Sequence, residues 1–249
     1  MANFKDVLIV VPTYNEADNV PLVIEEINRN CEGASVLFVD DNSPDGTASI
    51  VKKFIEDGYE NVFLLERHRK EGIGPAYISG FKWALQNIKY ARIIFECDAD
   101  LSHPFDCIPA MVEEIRNGVD VVVGSRYVKG GKIEGWTLFR KILSMGASFY
   151  VNIWLRLNVF DPTSGFVAYR REVLETLPLS SISSKGYMFQ IEMKYVVKKY
   201  GFKIKEVPIV FKERKYGRSK MSLAIFHEAL INVPLLNFRK ISRNETRNK

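Results

Sequence analysis

The amino-acid sequence predicts an α/β protein with a mostly parallel sheet flanked by helices. Short apolar runs alternate with segments of helical spacing through the first half of the chain. The runs are continuously apolar and lie between polar or helix-breaking residues, which is typical of strands that are buried on both faces. This alternation favours a doubly wound sheet, whose ligands bind beyond the carboxyl ends of the strands.

The first half of the chain contains five predicted strands and the helices that connect them. Short buried runs identify the strands, and apolar residues at three- and four-residue spacing identify the helices. The predicted strands are residues 6–11, 35–39, 61–65, 92–96 and 120–124, and the helices are about 17–30, 45–58, 76–85 and 104–117.

The second half is less regular and contains two long, strongly apolar helical stretches. They are residues 137–157 and residues 221–238, the second interrupted at Pro234. Their composition alone is more typical of core helices, but basic residues near their ends are typical of amphipathic helices at a membrane interface. Between these stretches we predict a strand at 165–169, a helix at 189–201 and an edge strand at 203–211.

The composition predicts one soluble intracellular domain. Hydrophobic residues make up 47% of the 249 residues, and no linker or internal repeat divides the chain. No uninterrupted stretch reaches the roughly 18 apolar residues of a membrane span, and the first apolar run lacks a signal-peptide cleavage site. Three cysteines without metal-ligand spacing fit reduced thiols in the cytoplasm. We therefore expect a single cytoplasmic domain over residues 1–249.

Basic residues are concentrated at the C-terminal end. Residues 212–249 hold ten Lys or Arg against three Glu, a net charge of +7, whereas residues 1–211 carry a net charge of −2. A basic end on a near-neutral body suggests an anionic partner there, such as nucleic acid, lipid headgroups or a phosphorylated substrate. The alternative is a solvent-exposed tail that binds no partner, and we expect residues from about 240 to 249 to be flexible.

Three polar clusters follow predicted strands, and a parallel sheet brings such strand ends to one edge. They are PTYNE (12–16), VDDNSPDGT (39–47) and CDADLSHP (97–104). Each alone could be an ordinary turn, since Asp and Asn are frequent turn and cap residues. In the extended chain Asp98 and Asp100 face the same side, roughly 6.6 Å apart. Two such carboxylates suit Mg²⁺ or Mn²⁺ completed by phosphates and water, so the clusters together favour a metal–nucleotide site.

Two common nucleotide-binding motifs are missing from the sequence. The dinucleotide fingerprint should follow the first strand, but PTYNEA contains no glycine there. The segment EGIGPAY (71–77) begins G-x-G but has Tyr77 in place of the third glycine, and no Walker A loop is present. A nucleotide held by carboxylates and a metal ion remains.

Seven motifs occur in an order that resembles a family 2 glycosyltransferase with the nucleotide-sugar-binding GT-A fold. Within that family the sequence is similar to the dolichyl/polyprenyl-phosphate mannose synthases, from about residue 5 to residue 240. The motifs are PTYNE, VDDNSPDGT, the glycine-rich loop from Arg69 to Ala76, DADLSHP, GSRY (124–127), DPTSGF (161–166) and RKYGRSKM (214–221).

The resemblance implies a role for each matching residue. Those matching family positions that line the nucleoside are Pro12, Tyr14, Glu16, Val39 and Asp41. Those matching the metal and diphosphate motif are Asp98, Ala99 and Asp100. Ser102 stands where these synthases often carry Gln, and its shorter hydroxyl would reach the metal through a water. The basic residues matching phosphate-binding positions are Arg126 for donor and acceptor, Arg140 for the acceptor phosphate, and Arg214 and Lys220 for the diphosphate.

The activity that the resemblance implies is inverting transfer of mannose from GDP-mannose to a dolichyl or polyprenyl phosphate. Asp100 and Arg126 are then the expected catalytic residues, and Mg²⁺ or Mn²⁺ the cofactor. Such an enzyme would work at the cytoplasmic face of a membrane, by peripheral contact or through a separate membrane subunit. The alternatives are UDP-glucose as donor, a sugar hydroxyl as acceptor, or a non-catalytic nucleotide-sugar-binding subunit. No recognised nucleic-acid motif supports a nucleic-acid partner.

Overall fold

A central sheet with helices on both faces forms the body of the protein. The computed structural model describes residues 3–184, 186–213 and 223–239, with the backbone alone for 223–229. Along β1 (Val7–Thr13) the side chains alternate between two cores, with Val7 and Ile9 in one and Leu8 and Val10 in the other. This burial on both faces explains why the strands are continuously apolar.

The five strands predicted in the first half of the chain are confirmed. The remaining strands are β2 (Ser35–Asp40), β3 (Val62–Glu66), β4 (Ile93–Glu96), β5 (Val121–Ser125), β6 (Lys132–Glu134), β7 (Val167–Arg170), β8 (Ile204–Pro208) and β9 (Val210–Lys212). The helices are α1 (Asn19–Asn30), α2 (Thr47–Glu56), α3 (Ile73–Asn87), α4 (Ile108–Arg116), α5 (Leu138–Leu155), α6 (Arg171–Thr176), α7 (Gly186–Lys199) and α8 (Leu223–Phe238).

The main sheet is mostly parallel, as predicted, but contains one antiparallel strand. Its order is β3-β2-β1-β4-β7-β5-β8, and β7 runs antiparallel to both of its neighbours. The predicted strand 203–211 is two strands, because β8 pairs with β5 at the sheet edge while β9 pairs with β6 in a separate small sheet. The sequence pattern did not predict β6 or α6, which are only three and six residues long.

Two helices differ in extent from their predictions. The third helix begins at Ile73, inside the glycine-rich loop rather than after it. The last helix continues through Pro234, where the sequence suggested an interruption. Proline removes one backbone donor from a helix, and the flanking turns of α8 remain helical around it.

The packing of α3 against the sheet depends on Gly80, where helix and strands approach closely. A Cβ atom at Gly80 would lie 2.6 Å from Cγ1 of Val10 and 2.9 Å from Cγ2 of Val39. We expect Gly80→Ala to lower the free energy of unfolding by about 1–3 kcal/mol, because both valines belong to packed central strands.

Gly146→Ala is the matched control for Gly80→Ala. Nothing lies within 4 Å of a Cβ atom added to Gly146, which is exposed in the interior of α5. Alanine there should raise the free energy of unfolding by about 0.5–1 kcal/mol. Chemical denaturation of both variants measures the difference, and equal stabilities would contradict the close approach at Gly80.

Helix α5 carries its large apolar side chains on the outside. Its inner side buries Ser144 and Ser148 together with Val151 and Leu155. The exposed large hydrophobic residues that recur every three or four positions form what we call the α5 outer face: Leu138, Phe139, Ile142, Met145, Phe149 and Ile153. This polarity is the reverse of that of a surface helix packed on a core. None of the helices in the described part of the chain has the length and hydrophobicity required to span a bilayer.

Candidate active site

The polar clusters that follow β1, β2 and β4 meet at one edge of the sheet. Strand register pairs Pro12 with Val39 and Thr13 with Asp40, and it pairs Val10 with Glu96 on the other side of β1. The segments after these strands therefore leave the sheet side by side. We call this edge the strand-end rim, and it is where a parallel sheet binds ligands.

The predicted nucleoside residues lie at the β1–β2 part of the rim. Pro12 and Val39 are neighbours across the two strands, and Lys70 lies 3.5 Å from the ring centre of Tyr14. Glu16 accepts a hydrogen bond of 2.6 Å from the side-chain amide of Asn19 at the start of α1. The structure thus brings these residues together, and their contact with a nucleoside stays a prediction.

Asp41 is held by an arginine that the sequence motifs did not single out. Arg67 donates to the Asp41 carboxylate at 2.6 Å and, with its other terminal nitrogen, to Glu71 at 2.6 Å. Burial raises the pKa of Asp41, and the adjacent Arg67 only partly offsets this effect. The ion pair fixes the carboxylate at the rim, between β2 and the glycine-rich loop.

The other two acids of the VDDNSPDGT cluster are turn residues. Asp40 accepts from the Thr13 hydroxyl at 2.9 Å and from the Ser43 amide at 2.9 Å. Asp45 accepts from the Thr47 amide at 3.0 Å, beside the start of α2, and from the Ala17 amide at 3.1 Å. The turn interpretation therefore holds for these two acids, which join the loops after β1 and β2.

Asp98 and Asp100 follow β4 in a turn built by local hydrogen bonds. The hydroxyl of Tyr77 donates to Oδ1 of Asp98 at 3.1 Å, and the Asp98 amide donates to Nδ1 of His103 at 3.1 Å. The Ser102 amide donates to Oδ1 of Asp100 at 3.0 Å. The structure therefore holds both carboxylates in place, and Ala99 between them is buried.

The donor set at this turn fits a hard divalent cation that keeps most of its coordination for other ligands. No group of three or more His, Cys, Asp or Glu arranged to hold a metal is present among the described residues. Two carboxylates alone suit Mg²⁺ or Mn²⁺, which share their coordination with phosphates and water. Ser102 is buried, and its backbone amide donates a hydrogen bond to the Asp100 carboxylate. The role of its hydroxyl as a metal ligand stays a prediction.

Arg126 forms a buried bidentate ion pair with Asp161 of the DPTSGF motif. Its Nε and Nη2 donate to the two carboxylate oxygens at 2.7 and 2.6 Å, and Nη2 also donates to Thr163 at 2.9 Å. Burial lowers the pKa of Arg126, but the attraction of Asp161 outweighs it and leaves the pKa raised. Asp161 is fully buried, and its amide donates to Glu206 at 2.9 Å. The guanidinium is therefore charged and held in one orientation.

Arg126 and Arg140 meet at one aromatic ring. The guanidinium carbon of Arg126 lies 5.5 Å from the centre of the Trp136 ring, and that of Arg140 lies 4.0 Å from it. Arg140 also donates to Glu213 at 2.6 Å, at the end of β9. The two arginines predicted to hold the acceptor phosphate are thus neighbours. The predicted diphosphate residues Arg214 and Lys220 lie outside the described residues.

Comparison with known proteins decides the family. The model of glycosyl transferase family 2 matches residues 8–177. The chain belongs to glycosyltransferase family 2.

This glycosyltransferase is similar to two curated mannosyltransferases. It is 39% identical over 226 residues to the polyprenol monophosphomannose synthase of Mycolicibacterium smegmatis, covering 91% of this chain and 84% of that protein. It is 42% identical over 228 residues to the undecaprenyl-phosphate mannosyltransferase of Micrococcus luteus, covering 91% of this chain and 92% of that protein.

Solved structures with the same fold confirm the predicted fold class. The glucosyl-3-phosphoglycerate synthase of Mycobacterium tuberculosis, in complex with Mn²⁺, UDP and glucosyl-3-phosphoglycerate, matches with a TM-score of 0.65 at 18% identity, covering 96% of this chain and 81% of that one. A mannosyltransferase from Pyrobaculum calidifontis, in complex with GDP-mannose and Mn²⁺, matches with a TM-score of 0.61 at 20% identity. The match covers 98% of this chain and 68% of that one.

The glycosyltransferase also contains a buried ionic cluster behind the rim that the sequence motifs did not predict. Lys194 of α7 is fully buried and donates to the Ser164 carbonyl at 2.7 Å. Glu96 of β4 is fully buried as well and accepts from the Tyr169 hydroxyl at 2.9 Å. Burial raises the pKa of Glu96 to about 7 and lowers that of Lys194 to about 8, while their mutual attraction opposes both shifts.

Four residues of the glycosyltransferase site were missed by sequence reasoning for different reasons. Asp161 belongs to DPTSGF, which the resemblance identified as a motif, so the signal was present. Tyr77 and Arg67 lie near motif residues in the sequence but reach the rim only through tertiary packing. Lys194 lies in α7, whose residues 188–197 are all buried, and no local pattern distinguishes it from a surface lysine.

Proposed function

We propose that this glycosyltransferase transfers mannose from GDP-mannose to a polyprenyl phosphate, with inversion at the anomeric carbon. The observation that carries the proposal is the 42% identity, over nearly the whole of both chains, to an undecaprenyl-phosphate mannosyltransferase. The strand-end rim supports it, because carboxylates suited to a metal–diphosphate lie beside residues suited to a nucleoside.

Asp98 and Asp100 would hold the divalent cation, Mg²⁺ or Mn²⁺. When bound, the cation supplies Lewis-acid neutralisation of the departing diphosphate. Pro12, Tyr14 and Asp41 would contact the nucleoside, and Arg214 and Lys220 would add positive charge at the diphosphate. The protein's own task is to keep the two carboxylates oriented, which the Tyr77 and Ser102 hydrogen bonds do.

Arg126 would bind the acceptor phosphate through Nη1, the guanidinium nitrogen that does not bond Asp161. Nε and Nη2 are engaged by Asp161 and Thr163, whereas Nη1 makes no hydrogen bond within the described part of the chain. Arg140, across the Trp136 ring, would supply a second cation. A phosphate monoester has a second pKa of about 6, so the acceptor oxygen is ionised at neutral pH and needs no strong general base.

The α5 outer face would bring the lipid acceptor to the rim. Helix α5 begins near Arg140 and exposes Phe139 and Phe149 by 76% and 70%. Large exposed apolar surfaces on proteins mark binding to other proteins or to membranes. For a polyprenyl-phosphate acceptor, lipid is the matching partner, with peripheral contact at the cytoplasmic face or a membrane subunit covering the same helix.

The class of reaction is tested by offering the two donors separately. Purified protein receives labelled GDP-mannose or labelled UDP-glucose, with polyprenyl phosphate in detergent and Mg²⁺ or Mn²⁺. Lipid-soluble label from GDP-mannose alone is the expected result. Lipid-soluble label from UDP-glucose alone would show that the proposed donor is wrong. Release of free hexose without a lipid product would show that the proposed acceptor is wrong.

Tyr77→Phe should raise the metal concentration needed for half-maximal transfer by about 10-fold or more, because Asp98 loses an orienting hydrogen bond. The Tyr77 ring stacks on Phe189 with centroids 5.7 Å apart, so phenylalanine should retain the packing. Tyr90→Phe is the matched control, since its hydroxyl bonds Ser35 at 3.0 Å, at the opposite end of β2 from the rim. A metal titration of the transfer rate measures the effect, and identical curves for both variants would contradict it.

A further inference from the structure

We propose that the cavity at the C-terminal ends of α5, α7 and α8 binds the phosphate headgroup of an anionic membrane lipid. The cavity has a volume of about 730 Å³, within the range of small-molecule sites. It is separate from the acceptor site, because Arg140 lies near the other end of α5, about 22 Å away at 1.5 Å per residue. The inference rests on the proposed function only in taking α5 as the membrane-facing helix.

The charge of the cavity lining suits a phosphate. Arg156, Lys198 and Lys199 line it, and no carboxylate does so among the described residues. The Arg156 guanidinium makes no ion pair or hydrogen bond with any other part of the chain that the structure describes. Basic residues also suit the carbonyl ends of single helices. That preference does not explain why cations from two helices surround a common cavity.

The walls of the cavity are tied together by side-chain hydrogen bonds. Tyr195 of α7 donates to the Asn237 side-chain oxygen at 3.1 Å, and Asn237 of α8 donates to the Trp154 carbonyl at 2.6 Å. The Lys198 ammonium donates to the carbonyl of Arg156, which ends α5 in a left-handed conformation. The three helix ends therefore form one fixed unit, so a bound ligand would find the cations already assembled.

The position of the cavity selects a lipid over a free anion. Ile153, the last residue of the α5 outer face, and Trp154 both line the cavity, and they are 58% and 44% exposed. Tryptophan favours the boundary between headgroups and acyl chains. When the outer face lies on a bilayer, the cavity is therefore at headgroup depth. A phosphodiester headgroup can bind there while its acyl chains remain in the membrane.

The test measures vesicle binding of the full chain without nucleotide sugar. Vesicles contain phosphatidylcholine alone or with a minor fraction of phosphatidylglycerol, and co-sedimentation gives the partition coefficient. The cavity variant is Arg156→Gln with Lys199→Gln. The control, Lys53→Gln with Lys82→Gln, removes the same charge from exposed positions on α2 and α3. Phe149→Ser, on the α5 outer face, tests the membrane contact itself.

We expect phosphatidylglycerol to strengthen wild-type binding and the cavity variant to lose about 10-fold of that gain, with the control nearly unchanged. Binding to neutral vesicles should fall in Phe149→Ser and persist in the cavity variant. If the cavity variant behaves like the control, or if phosphatidylglycerol does not strengthen wild-type binding, the headgroup site is refuted. If Phe149→Ser binds vesicles like wild type, the proposed membrane contact of α5 is wrong. Mannosyl transfer in detergent is measured separately, so that failure of the headgroup site is distinguished from failure of the proposed function.

Discussion

Replacing Asp100 with Ala should lower the rate of mannosyl transfer by about 10³-fold or more and leave the protein folded. Asp100 lies in a polar turn after β4 rather than in either core, so truncation creates no buried cavity. It accepts a hydrogen bond from the Ser102 amide, and that donor can be satisfied by water. The loss therefore comes from the missing carboxylate at the diphosphate, where it would hold the cation.

Asp100→Asn sharpens the test, because asparagine keeps the shape and the acceptor oxygen but removes the charge. We expect it to be nearly as inactive as the alanine variant, with thermal unfolding close to that of wild type. Asp57→Asn, at the exposed end of α2, controls for the loss of one negative charge. Near-normal turnover of folded Asp100→Ala would contradict both the metal site and the proposed reaction.

Replacing Asp161 with Ala should lower the free energy of unfolding by about 3–5 kcal/mol and strongly reduce transfer. Asp161 is fully buried, and the Arg126 side chain opposite it is only 9% exposed. Without the carboxylate, the guanidinium stays buried with no counter-charge and loses both oxygens that orient it. Stability and activity then fall for one reason, the loss of a fixed Arg126.

A double variant separates the two effects. Asp161→Leu combined with Arg126→Met removes both charges, so it should be more stable than Asp161→Ala while remaining inactive. Glu25→Ala serves as the control, because its ion pair with Arg29 is about 60% exposed on both sides (61% and 59%) and should contribute less than about 1 kcal/mol. Denaturant unfolding and transfer assays measure both properties. Equal effects of Asp161→Ala and Glu25→Ala would contradict the buried pair.

The sequence by itself determined the first half of the fold and which carboxylates follow the strands at the rim. Continuous apolar runs and helical spacing are local patterns, so the five first-half strands were predictable from neighbouring residues alone. The carboxylates Asp98 and Asp100 were predictable because strand ends of a parallel sheet meet at one edge. Ordered motifs then identified the family, and that identification is confirmed by the match over residues 8–177.

Tertiary structure alone decided which charged groups bond to other parts of the protein. Whether Asp40 bonds the Thr13 hydroxyl and Asp41 pairs with Arg67 depends on contacts between segments far apart in the sequence. The same holds for Lys194 behind the rim and for the antiparallel insertion of β7. The α5 outer face is the clearest case, since the apolar composition of this helix is by itself more typical of a core helix. Only its packing through Ser144 and Ser148 turns the large side chains outward, because a helix buries whichever face meets the rest of the protein.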